Sequence, residues 1–135
     1  MEPMRWFLTI ARWLLYATAL VPLLIDSSVF FPFAFPKLVL FRVAVELSLA
    51  FTALAAAWAL TRNVPLTSLG FPSREEVWKA VKSPLGISLI IFLLSLIVSS
   101  LTAIDPYRAF WGDVERGEGA FGILHVALFG GLLLT

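Results

Sequence analysis

"LGISLIIFLLSLIVSSLTAI", Leu85 to Ile104, decides the class of fold to which this chain belongs. No charged residue interrupts it. Its length matches the roughly 20 apolar residues that a helix needs to cross a hydrocarbon core about 30 Å thick. The composition points the same way: 60% of the residues are hydrophobic, 14% are charged and the mean hydropathy is +0.93. A soluble domain carries about 25% charged residues, so this is a membrane chain.

Working outward, three more runs have the same character. "FLTIARWLLYATALVPLLI" covers Phe7–Ile25 and is interrupted only by Arg12. "LVLFRVAVELSLAFTALAAAWAL" covers Leu38–Leu60 with Arg42 and Glu46 inside it. "GAFGILHVALFGGLLLT" starts at Gly119 and is still apolar at Thr135. The expected fold is therefore all-α: a polytopic membrane protein with four transmembrane helices, at about 7–25, 38–60, 85–104 and 119–135. The small residues Ala17–Ala19 resemble a signal-peptidase site, but Arg12 breaks the preceding apolar region and the run continues beyond them. An uncleaved first span is expected. The last run ends without interfacial aromatic or basic anchors. Residues 1–135 are thus expected to be a single transmembrane domain, the N-terminal fragment of a longer protein; a complete small four-helix protein is the alternative.

Lysines and arginines set the orientation. Arg5, Arg62, Arg74, Lys79 and Lys82 lie on one side, and Arg12 can snorkel to it. Lys37, Arg108 and Arg116 lie on the other. The larger set predicts a cytoplasmic N-terminus and a multi-pass protein of the inner or plasma membrane. Within the cytoplasmic connection, Ser73 stands three residues before Glu76, a capping box that predicts a short helix over 74–82. Trp78 and Val81 share one face of it beside lysines, which suits the membrane interface and an anchoring role. On the outer side, the prolines of "VFFPFAFPK", Val29–Lys37, argue against a regular helix. That segment reads as an apolar plug or as a contact for a lipid-borne substrate.

Arg42 and Glu46 are four residues apart and share a helix face. At about 1.5 Å per residue, they lie some 7 Å and 13 Å inward of Lys37. Glu46 is too deep to snorkel and is expected to face the bundle. The two form either a polar pocket beneath the outer surface or a self-neutralising pair that fixes packing, and the arginine-first order leaves room for a partner from another helix. The alanines of "FTALAAAWAL" provide a small-residue surface for close helix contact.

The densest chemistry lies in "DPYRAFWGDVERGEGAF", Asp105–Phe121. Arg116 with Gly117 and Gly119 could receive an anion such as a diphosphate. Tyr107, Phe110 and Trp111 offer faces for sugars or for the headgroup layer. Asp113 and Glu115 are too few for a metal site. The chain has no cysteine and one histidine, His125, so cysteine ligation and multi-histidine sites are excluded. An ordinary interfacial loop with solvated charges accounts for the segment equally well.

The run "YRAFWGDVERGEGAFGILHVALF" resembles a segment of the O-antigen ligase and polymerase superfamily. The matching positions are Phe110, Trp111 and Gly112, then Glu115 and Arg116, Gly119, and His125 on an apolar helix. "FPKLVLFRVAVE" resembles the start of the second helix in the same proteins. The resemblance implies a membrane glycosyltransferase that moves a glycan from a polyprenyl diphosphate carrier to an acceptor at the outer face, without metal or other cofactor. It implies substrate-binding roles for Arg116, Glu115, Trp111, Tyr107, Arg42 and Glu46. The family's catalytic loop lies far downstream, so no catalytic residue is expected here and this chain alone is expected to be inactive. Expected partners are the lipid bilayer, the polyprenyl diphosphate-linked glycan and the remaining helices of the parent protein, and no nucleic acid. From a different class, the alternative is a small non-enzymatic membrane protein that acts as an assembly partner through the alanine face of the second span.

Overall fold

The computed structural model describes residues 2–24, 35–112 and 119–133, and every regular element among them is helical. In chain order these are α1 (Glu2–Ala17), a 3₁₀ segment (Thr18–Leu23), α2 (Phe35–Thr61), a 3₁₀ turn (Leu66–Leu69), α3 (Arg74–Lys82), α4 (Pro84–Leu101), α5 (Pro106–Trp111) and α6 (Ala120–Leu132). Among the described residues, three stretches are long and apolar enough to cross a membrane: Met4–Leu23, Pro36–Thr61 and Pro84–Leu101. The fourth expected span appears as α6, an apolar helix of 13 residues, which is shorter than a crossing requires.

Helix α2 starts inside the Phe-rich segment, at Phe35, and takes in Pro36 and Lys37. Proline is tolerated there because a helix's first turn has no use for the missing N–H. Val29 to Ala34 lie outside the described residues.

A seam between α1 and α2 organises the bundle. α1 and the turn after it bury Met4, Leu8, Ala11, Leu15 and Thr18, at alternating steps of four and three residues. α2 buries Val45, Ser48, Thr52, Ala55 and Ala59 at the same alternation. Such spacing keeps one stripe of each helix on its neighbour. The helices run antiparallel, since Met4 and Leu8 cluster with Ala55 and Ala59, whereas Leu15 clusters with Val45 and with Leu132 of α6. Lipid tails are as apolar as leucine, so close packing rather than hydrophobic burial must hold such helices together. Small residues permit it: Ser48, Ala55 and Ala59 are fully covered, and the Ser48 hydroxyl donates to the Ala11 carbonyl at 3.0 Å. Of the alanines in this stretch, Ala55 and Ala59 are therefore occupied by α1 of the same chain, while Ala53 and Ala57 stay exposed.

α2 ends in a Schellman arrangement. Asn63 takes a left-handed φ of 54°, the Val64 N–H reaches back to the Ala59 carbonyl at 2.9 Å, and the Asn63 N–H donates to Leu60 at 3.2 Å. These bonds satisfy carbonyls that the helix end would leave open. The turn sends Val64, Leu66, Leu69 and Phe71 back against the Met4–Ala59 cluster. Arg5 and Arg12 share a hollow with Ser68 and Leu69, so both arginines lie at the α2–α3 end of the bundle.

The expected capping box opens α3. The Ser73 N–H donates to Glu76 Oε2 at 2.7 Å, and the Glu76 N–H donates to Ser73 Oγ at 3.3 Å. Ser83 then caps α4 by accepting from the Gly86 N–H at 3.0 Å, with Pro84 in the first turn. Along α4 only Ser100 is buried.

Candidate functional site

The second feature that organises the molecule is polar and lies between α2 and α6. His125 sits in the middle of α6, in a helix whose other side chains are all apolar. Its ring is buried, with 5% of the side chain exposed, and Nε2 lies 2.9 Å from Glu46 Oε1. Nδ1 lies 2.8 Å from the Phe121 carbonyl, one turn back on its own helix. Helix α6 has no other side chain able to satisfy an imidazole in an apolar setting, so α2 must supply the partner. Glu46 does so with one oxygen while 57% of its side chain stays exposed.

Arg42 lies one turn from Glu46 and attracts it electrostatically. Its guanidinium lies over the Phe121 ring, 5.0 Å from the centroid. Such a contact adds about 0.5–2 kcal/mol, the more so the drier the site. Phe121 also meets the His125 ring edge-on, with centroids 4.4 Å apart. One aromatic ring thus separates the arginine from the imidazole, and the carboxylate borders both.

Phe121 continues into the loop preceding α6. Trp111 packs on it at 4.8 Å and Phe110 at 5.8 Å between centroids. Trp111 and Phe110 meet edge to face at 5.2 Å, and Tyr107 tilts against Trp111 at 6.3 Å. These rings are delivered by α5, a short helix capped by Asp105, whose carboxylate accepts from the Arg108 N–H at 3.0 Å. Gly112 ends it at φ 81°, ψ 176°, a region essentially reserved for glycine. Gly119 is needed for a different reason: a Cβ there would run into the backbone of Phe110, Trp111 and Gly112. The end of α5 therefore lies directly on the start of α6.

Of the residues expected in a substrate site, Arg42 and Glu46 come together with the α6 helix, and Trp111 and Tyr107 join the same aromatic chain. Tyr107 is the outermost, with 74% exposure. Arg116 and Glu115 lie outside the described residues, as do Asp113 and the rest of segment 113–118. His125 and Phe121 are not among the residues expected to bind substrate, yet they lie at the centre of the cluster. A signal for His125 was available: a lone imidazole in an apolar helix and a lone carboxylate in another need each other.

No protein-family model, curated protein or solved structure matches the chain.

Proposed function

We propose that this chain is the N-terminal membrane part of a glycosyltransferase of the O-antigen ligase type, which moves a glycan from a polyprenyl diphosphate carrier to an acceptor at the outer face of the inner or plasma membrane. One observation carries the reading. The two segments that resemble this superfamily, 79 positions apart at Glu46 and His125, meet in a single cluster of Arg42, Glu46, Phe121 and His125. In this reading the cluster fixes the floor beneath the α5–α6 connection. Trp111 and Tyr107 face the sugar–lipid boundary, Arg116 and Glu115 engage the donor diphosphate, and the chemistry is performed by groups beyond Thr135.

An apolar groove of about 810 Å³ between the 3₁₀ segment, the start of α2 and the end of α6 supports a lipid-linked donor. Phe41, Phe129 and Leu38 line it, and Lys37 adds a cation. A prenyl chain needs an apolar bed and its phosphates need such a charge. The experiment is replacement of Arg116 by alanine in the full-length protein, followed by a glycan-transfer assay. Loss of transfer at normal expression is the expected result, and undiminished transfer would remove the assigned role.

A second reading, a non-enzymatic membrane protein that assembles with a partner, draws on α4. Its leucines and isoleucines are exposed along the whole helix, whereas Ala55 and Ala59 of α2 are already engaged by α1. In that reading α4, rather than the alanine face, receives the partner.

A further inference from the structure

The hydrogen-bond geometry at His125 fixes a proton count. A carbonyl oxygen only accepts, so the 2.8 Å contact with Phe121 requires a hydrogen on Nδ1. The 2.9 Å contact between Nε2 and Glu46 Oε1 then requires a second hydrogen. Either the ring donates from Nε2 to a carboxylate, or a carboxylic acid donates to the Nε2 lone pair. A neutral imidazole facing an ionised carboxylate has one ring hydrogen for two acceptors, so a nitrogen lone pair would oppose either Oε1 or the Phe121 carbonyl, according to the tautomer.

We propose that Glu46 and His125 form a proton-binding site, in which one proton held between Nε2 and Oε1 closes the contact of α2 with α6. Binding is a simple transfer. A hydronium ion gives its proton to the pair, an N–H or O–H bond forms, water leaves, and no group is oxidised or reduced. The imidazole itself is buried, so the open flank of Glu46 is the side from which the pair is reached. With the proton on, the cluster of Arg42, Glu46 and His125 carries one net positive charge and both ring contacts are hydrogen bonds; without it, the cluster is neutral and only one of the two contacts can hold a hydrogen.

Among the described residues, few other charges lie on the elements around the pair. α6 has no further ionisable side chain and α4 has none, while α2 adds Lys37 and Arg42. On the elements packed around them, α5 carries Tyr107 and Arg108, with Asp105 at its cap, and α1 carries Glu2, Arg5, Arg12 and Tyr16. Arg42 is the charge built into the cluster, through Phe121. The site stands whether or not the protein transfers glycans.

The chain has one histidine, so ¹⁵N-histidine labelling of the protein in lipid bilayers gives a single pair of ring signals. At neutral pH, solid-state NMR is expected to show Nδ1 protonated. It should also show Nε2 protonated, or else Nε2 hydrogen-bonded together with an infrared band from a carboxylic acid. A neutral ring with an ionised Glu46, or an unprotonated Nδ1, would overturn the proposal. In Glu46→Gln the amide can donate to Nε2 of a neutral ring, so the contact survives while the extra proton is lost. Whichever signature the wild type shows, imidazolium or carboxylic acid, should disappear in this variant, and its persistence would equally overturn the site.

Discussion

Helices α2 and α4 are both apolar enough to cross a membrane, yet they are used differently. The membrane-length window of α2 is 22% buried within the chain, and that of α4 is 6%. α4 is the more hydrophobic of the two, so apolarity does not explain the difference. What separates them is interruption. α2 carries Arg42, Glu46, Ser48, Thr52, Ala55 and Ala59, and each of these either contacts or is covered by a neighbouring helix. α4 presents leucine, isoleucine and phenylalanine outward on nearly every face. In a bilayer an uninterrupted apolar helix needs no protein neighbour, whereas small and polar residues mark where helices meet.

The largest effect should come from overfilling the seam. Ala55→Leu inserts bulk where α1 lies against a fully buried alanine, and overpacking of this kind costs about 1–3 kcal/mol. Leu94→Ala on α4, where the side chain is 57% exposed, should change stability by no more than about 0.5 kcal/mol. Reversible unfolding in mixed micelles measures both. Equal losses would break the comparison and mean that α4 is packed against something.

The smallest effect belongs to α3, which lies outside both regions and rests on its cap. The Ser73 backbone N–H and then its hydroxyl hold the Glu76 carboxyl below the usual glutamate range. A carboxyl whose folded pKa is lowered adds stability that is fully present at neutral pH and is lost as pH falls through that lowered value. The first amides of α3 should therefore lose hydrogen-exchange protection in acid, beyond the intrinsic change in exchange. Glu76→Gln should abolish that dependence. If the variant kept the acid response, the cap would not be its source.

Much of this architecture was legible in the residues. The charge-free run at Leu85–Ile104 announced a membrane helix by length alone, and Ser73 with Glu76 announced α3 because a capping box is a local motif. Glu46 reads toward the bundle because a carboxylate at that depth has nowhere else to go; it reaches α6 with one oxygen while more than half of its side chain stays exposed. Its partner could not be identified in the same way. The contact joins residues far apart in the chain, and local periodicity carries no information about which helices become neighbours. The first turn of α2 at Phe35 is hidden for a simpler reason: Pro36 reads as a helix breaker, although in a first turn it breaks nothing. The role of Gly119 was equally hidden, because it depends on how closely the end of α5 approaches the start of α6.

The contact between Glu46 and His125 is the polar contact that joins α2 to α6, and a double-mutant cycle tests it directly. Unfolding free energies of the wild type, Glu46→Ala, His125→Ala and the double variant in lipid or mixed micelles give the coupling between the two side chains. A coupling of about 1–2 kcal/mol is predicted, the upper range for interhelical polar contacts in membranes. Additive losses, with no coupling, would mean that the two residues do not meet and that α2 and α6 are not joined as described.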